Sequence, residues 1–266
     1  MGLFDRLRAL LGGRPAAPPG ALAPGQAPEA APDSAAAEAS QAARDAYWAG
    51  IGQVERDVLA PLISPGLMGG PAWPTLRQAY RVIRRAESLI LATDGLSDPF
   101  DGVSGGGNGF GMELFLETAE IDPALAGQPG DVSGLGRSWA FEILQNVAAS
   151  VAGAGGVMPM LQRHGVLSME LPGVSQAHSL PRQLPPGFAT ADDSLGVLIG
   201  GPAPDFAVQI PGMPLSPAQA VPVVLLRAEE LEALRQGGAE ARRALAEALG
   251  GAPQRHRSSL SRGALA

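Results

Sequence analysis

The sequence predicts an α+β fold, a mixed and largely antiparallel sheet packed with helices. Three observations carry this. Apolar residues recur at helical spacing at 43–63, 75–86, 138–156 and 228–250. Short apolar runs bounded by proline and glycine, among them SLILAT at 88–93 and PVVLLR at 222–227, have the length and composition of strands. The two kinds of segment alternate without a regular strand–helix–strand repeat, which argues against a parallel doubly wound sheet.

Taken in chain order, MGLFDRLRALLGG sets Leu3, Phe4, Leu7, Leu10 and Leu11 at helical spacing, a short amphipathic helix over residues 1–13. It is too charged and too short in its apolar part for a signal peptide or a span, and Arg6 stands where a myristoylation motif has Ser or Thr. Such a helix packs on the body, or it touches a membrane surface or a partner. Residues 14–40, rich in Pro and Ala and without aromatics, read as a disordered linker. The folded domain is then expected over 41–250, with 251–266 a disordered, locally basic tail.

Inside the domain, ARDAYWAGIGQVERDVLAPLI predicts a first helix. WPTLRQAYRVIRRAES predicts a second, with Leu76, Ala79, Tyr80 and Ile83 on one side and Arg77, Arg81, Arg84 and Arg85 forming a stripe on the other. That stripe is a solvated face or a patch for an acidic partner. Strands follow at 88–93 and, after a glycine-rich loop, at FGMELFLET. The third helix opens at Ser138 as N-cap, buries Leu144, Val147, Ala148 and Val151, and stops at glycines 153, 155 and 156. GVLSMEL, SLGVLIGG, DFAVQI and PVVLLR are further strands, and AEELEALRQGG and AEARRALAEALGG are two closing helices, each ended by glycine. Trp48, Trp73 and Trp139 are expected in the core.

Composition excludes several chemistries. The chain has 266 residues, a formal charge of −7 and no cysteine, and its 19 basic residues are all arginine. Without cysteine there are no disulfides or thiolate ligands, which suits a reducing cytoplasm. Without lysine there is no Walker A loop and no Schiff base. The acidic balance argues against nucleic acid as a partner. The lysine-free, Ala/Gly/Pro/Arg-heavy usage points to a GC-rich bacterial genome.

The glycine loop at 102–111 fails the dinucleotide spacing and leads into a strand rather than a helix. GVSGG matches G-x-S-x-G formally, with Ser104 as nucleophile and Asp192 or Asp193 and His256 completing a triad, but no strand feeds Ser104 and no helix receives it. His164, His178 and His256 are isolated and read as surface or loop residues. Asp94, Asp98, Asp101, Glu113 and Glu117 form an acidic set without the spacing of a calcium loop. No cofactor or metal is expected.

The order of segments carries a resemblance. ILATDGLSDPF at 90–100, GFGMELFLET at 109–118, the Trp-bearing helix at 138–156 and VPVVLLRAEELEALRQGG at 221–238 resemble, in that order, the suppressor-of-fused-like domain family, over residues 45–250. In that family an arginine often stands where this chain has Glu117, and an aromatic where it has Asp94. The resemblance implies an α+β binding domain without catalytic residues. Its animal members hold a transcription factor, and its bacterial members resemble immunity proteins beside toxins. The expected function is therefore a cytoplasmic, non-enzymatic module that occludes a protein partner, with the acidic chain suiting a basic one. A serine hydrolase using Ser104 and a membrane-surface scaffold anchored by residues 1–13 are the alternatives. Candidate partner-binding residues are Asp94, Gly95, Ser97, Glu113, Glu117, Arg77, Arg81 and Arg84. Asp94, Gly95 and Ser97 would shape the turn after the strand at 88–93, and Glu113 would face outward from the next.

Overall fold

The computed structural model describes residues 32–61, 63, 65–103 and 106–265. The expected helix at 1–13 and Ser104 lie outside the described residues.

Helix α1 spans Pro32–Ala49. The linker expected over 14–40 therefore gives way at Pro32, a residue suited to a helix's first turn, to an alanine-rich stretch of high helix propensity. Hydropathy conceals this helix because half of its buried stripe is polar: Ser40, Arg44, Tyr47 and Trp48 are the buried residues. The helix stops at Ala49 rather than running on to residue 63. Beyond it, β1 is Gln53–Val54, and a single 3₁₀ turn covers Pro65–Met68.

The helix expected over 75–86 is instead β2, Ala79–Arg84. Tyr, Val and Ile favour an extended backbone. Tyr80 and Val82 join one hydrophobic cluster, and Ile83 joins another. Strands β3 (Leu89–Asp94) and β4 (Met112–Thr118) are buried along their whole length. Then come α2 (Pro123–Ala126), α3 (Trp139–Gly153), α4 (Met158–His164), β5 (Leu167–Pro172), α5 (Leu180–Gln183), β6 (Ser194–Ile199), β7 (Gln209–Ile210), β8 (Ala218–Leu225) and α6 (Ala228–Gly251). The Ser138 hydroxyl caps α3 by accepting from Phe141 N. The two expected closing helices are segments of α6, joined at a kink where Gly238 has φ 58°.

The eight strands form one sheet in the order β1-β2-β3-β4-β8-β6-β5, with β7 beside β8. Only β4 and β8 run parallel; every other pairing is antiparallel. The fold is thus α+β with a mixed, mostly antiparallel sheet. Helix α3 covers one face, burying Trp139, Leu144, Val147 and Val151 against residues such as Leu91, Leu114 and Val223. On the other face α1 sets Trp48 and Tyr47 on Ile90 and Phe115, and α6 sets Leu234, Leu245 and Leu249 on Leu198 and Val224. Trp48, Trp73 and Trp139 are all buried. Among the described residues no helix is long and apolar enough to cross a membrane.

The C-terminal segment is ordered, contrary to the disordered tail expected over 251–266. Strand β4 pairs with β8 only over Met112–Phe115 and Gln219–Pro222, after which β8 turns to pair with β6. The tail enters where the two strands part. Ser258 N donates to Glu117 O, its hydroxyl accepts from Leu225 N, and Arg262 donates to Leu225 O. Backbone groups that no strand pairs are satisfied by the tail instead, as burial demands. This stretch is polar and basic, so composition alone marks it as solvated; its partners are buried carboxylates far away in sequence.

The glycine-rich loop joins β3 to β4, which pair antiparallel from Leu89 opposite Thr118. Gly109 has φ 46°, and a Cβ there would press into the carbonyl oxygens of Leu96 and Asp98. We therefore expect Gly109→Ala to destabilise by about 2–3 kcal/mol. Gly102→Ala, also at positive φ but in open space, should cost about 1 kcal/mol. Thermal melts of the two variants check the contrast, and equal melting temperatures would refute it.

Candidate functional site

The turn after β3, Asp94-Gly95-Leu96-Ser97-Asp98, is built around Glu113 of β4. Gly95 N and Ser97 N donate to its Oε1 at 3.1 and 2.9 Å, and Leu96 N to its Oε2 at 3.3 Å. The hydroxyls of Ser97 and Thr93 add bonds of 2.6 and 2.5 Å. Three successive amides converging on one oxyanion make a backbone nest, here closed by a side chain of the same fold. Asp94, Gly95 and Ser97 thus shape the turn as expected. Glu113 does not face outward: it is fully buried, accepting the turn's Gly95, Leu96 and Ser97 amides. Burial pushes its carboxyl above the ordinary range, reinforced by Asp94 and opposed by Arg44.

Arg44 of α1 enters this turn from the face of the sheet that α1 covers. Its Nε donates to Asp94 Oδ1 at 2.8 Å and its terminal nitrogens donate to Asp98 Oδ1 and Ser97 Oγ. Arg81 Nε donates to the second oxygen of Asp94 at 3.0 Å, and Arg77 bonds both that oxygen and the Asp94 carbonyl. Arg81 also pairs with Asp45. Three guanidinium groups therefore face four carboxylates, Asp94, Asp98, Glu113 and Asp45, in a site where Arg44, Asp94 and Glu113 have no exposed side-chain surface. Burial alone would raise Asp94, but Arg44, Arg77 and Arg81 hold its carboxyl below the usual range. The acidic set that suggested a hard cation is divided in the fold, and its Asp94–Asp98–Glu113 part is compensated by Arg44.

Glu117 belongs to a second network, four residues along β4. It accepts from Ser88 Oγ at 2.5 Å, from Arg85 at 3.0 Å and from His256 Nε2 at 2.7 Å. Arg85 reaches on to Asp205 with two bonds of 2.9 and 3.0 Å and lies 5.5 Å from the Phe206 ring centroid. Glu117, Asp205 and His256 bring one ligand atom each within 4.8 Å of one another. Arg85 already bonds both carboxylates, so a metal ion there would have to displace a bidentate guanidinium. His256 lies in a turn, as a loop histidine was expected to, but it is buried, whereas His164 and His178 are exposed. Its acid partner is Glu117; Asp192 bonds Arg235 and Thr190, and Asp193 bonds Ser175. Neither aspartate expected for the Ser104 triad contacts His256.

Arg84 pairs with Glu55 and donates to the carbonyls of Ala126, Gln128 and Asp131, pinning the loop before α3. The expected solvated stripe of arginines is thus four committed side chains. Arg77 and Arg81 meet Asp94, Arg84 meets Glu55, and Arg85 meets Glu117 and Asp205. Of the candidate residues, Asp94, Gly95, Ser97, Glu113, Arg77 and Arg81 come together in one site; Glu117 and Arg84 lie in two others. Arg44 and Asp205 were not singled out from sequence, although Arg44 has a signal: it shares a helical face with Tyr47 and Trp48.

Outside the ionic core, large apolar side chains are exposed on the 63–76 segment and at Val103. Leu67, Met68 and Leu76 are 65, 76 and 58% exposed, and Ile63 and Val103 are more than half exposed. Gly66, Trp73, Pro74, Leu76 and Asp101 line a hollow of about 200 Å³. Asp101 N donates to Pro74 O, joining the glycine loop to the 65–76 segment. Arg77, 37% exposed through its side chain, connects this segment to Asp94.

The linkage of the ionic core to pH follows from Asp94 and Glu117, both held below their ordinary values of 3.8 and 4.5. A depressed carboxylate contributes stability that is present above its unfolded value and lost as pH falls through its folded value. Stability should therefore drop steadily below about pH 4.5. Glu113, raised, acts in the opposite sense, its contribution being lost as pH rises above 4.5 toward its folded value. Urea unfolding of Asp94→Asn across the acid range should give a less stable protein at neutral pH with a shallower acid slope. An unchanged slope would show that Asp94 is not depressed.

Comparison with protein-family models, with curated proteins and with solved structures finds no match to any of them.

Proposed function

We propose that this chain is a non-enzymatic binding protein of the suppressor-of-fused-like type, cytoplasmic, which holds a protein partner and occludes it. The observation that supports this reading is the hollow beside Trp73, with the exposed Leu76 in its wall and the exposed Leu67 and Val103 one and two residues along the chain from its Gly66 and Asp101. Exposed apolar surface of this kind marks interaction sites. The loops that carry it are fastened to each other by Asp101 N on Pro74 O and to the ionic core by Arg77 on Asp94, contacts that lower the ordering cost of binding. The net charge of −7 favours a basic partner through steering, a nuclease toxin being one such class.

The test is affinity capture with the full chain from lysate of its own organism, in parallel with Leu67→Arg and Leu76→Arg. Both positions are exposed, so the variants should melt like the wild type. One basic protein retained by the wild type, lost by both variants and weakened at high salt is the expected result. Equal retention by all three would reject this surface.

A further inference from the structure

Strand β5 is a sheet edge. It pairs with β6 from Leu167 opposite Ile199 to Pro172 opposite Ser194, and its other side has no strand among the described residues. Gly173 N donates to Asp193 O, so by the alternation of an antiparallel ladder the backbone groups of Ser168 and Glu170 point away from β6. Beside this edge lies a groove of about 470 Å³ between β5 and the solvent-side flank of α3, with Asn146, Ala149 and Ser150 on one wall and Glu170, Leu171 and Pro172 on the other. An unpaired strand edge flanking a helix-walled groove is the arrangement in which an extended peptide adds to a sheet.

We infer that this edge is a second binding surface, separate from the hollow beside Trp73, and that it takes an extended segment of a basic protein partner with alternating apolar and basic residues. The alternation follows from the two sides of β5. Leu171, Met169 and Leu167 belong to the cluster beneath α3, so alternate side chains of an added strand enter the groove over Leu171 and Ala149. The side chains between them point toward α6, where Glu170, Asp192 and Glu232 surround the single guanidinium of Arg235. Three carboxylates against one cation leave a negative rim that fits arginine or lysine. Pro172 has no N–H and ends the donor row, so the added strand is short.

The probe is a fluorescein-labelled heptapeptide of alternating valine and arginine, with a control in which glutamate replaces arginine, titrated into the full chain at physiological salt. The basic peptide should bind about tenfold or more tighter than the acidic one. It should slow amide hydrogen exchange at Ser168 and Glu170, and lose affinity in both Ala149→Arg, which fills the groove, and Glu170→Arg, which reverses the rim. Leu67→Arg should bind the peptide like the wild type, which separates this surface from the hollow beside Trp73. Protection elsewhere, unchanged affinity in Ala149→Arg, or no binding would overturn the inference. So would a wild-type dimer in sedimentation with these amides already protected, since the edge would then belong to a second copy.

Discussion

Arg44→Met is expected to destabilise the fold by about 3–5 kcal/mol, the cost of removing one partner from a buried ion pair. The methionine fills much of the same volume, so the loss is electrostatic. Asp94, Asp98 and Glu113 would keep their burial without the guanidinium that enters from α1. Arg77 and Arg81 still reach Asp94, which leaves Glu113 and Asp98 as the most exposed to the change. Adding Asp98→Asn to Arg44→Met should restore part of the loss, because Asp98 is one of the charges that loses its guanidinium. Urea unfolding of the single and double variants measures both effects. A single variant within about 1 kcal/mol of wild type would mean that the network is no stronger than a surface ion pair.

A comparable effect is expected from ending the chain at Ala252. The removed segment supplies His256 to Glu117, Ser259 and Ser261 to Glu120, and Arg262 to Glu230. It also carries the hydrogen bonds that close the gap between β4 and β8. Truncation should lower stability by at least about 3 kcal/mol and speed hydrogen exchange at Leu225, whose amide donates to Ser258. Truncation removes many contacts at once, so Arg262→Met is the sharper variant: it leaves Glu230, 2% exposed, without its guanidinium. Adding Glu230→Gln should recover part of that loss. If truncation leaves the unfolding midpoint and the Leu225 exchange rate unchanged, the tail is a solvated appendage after all.

The acids and arginines of the candidate site were visible in the sequence one by one, but not as pairs. The stretch 75–86 shows why. Its apolar residues satisfy helical spacing and strand alternation about equally well, and the choice is made by neighbours: Tyr80 and Val82 pack beneath α3 while Arg81 meets Asp94 on the other side. A helix would have left those arginines in water. Glu113 gives the same lesson from the opposite direction. A glutamate in a strand reads as outward-facing, yet the turn after β3 aims three amides at it, and those amides come from residues 16–18 positions away.

By itself the sequence determined the α+β class, helix α3 with its Ser138 cap, and most of the central strands, including those on either side of the glycine loop. Those features rest on local terms, namely hydrophobic period, capping and glycine's access to positive φ. Tertiary structure alone decided that 79–84 is a strand, that α1 begins at Pro32 and that the tail is built into the sheet. In each case a polar or charged side chain is buried, and whether that is favourable depends on a partner distant in sequence: Arg81 on Asp94, Arg44 on Asp94 and Asp98, Arg262 on Glu230.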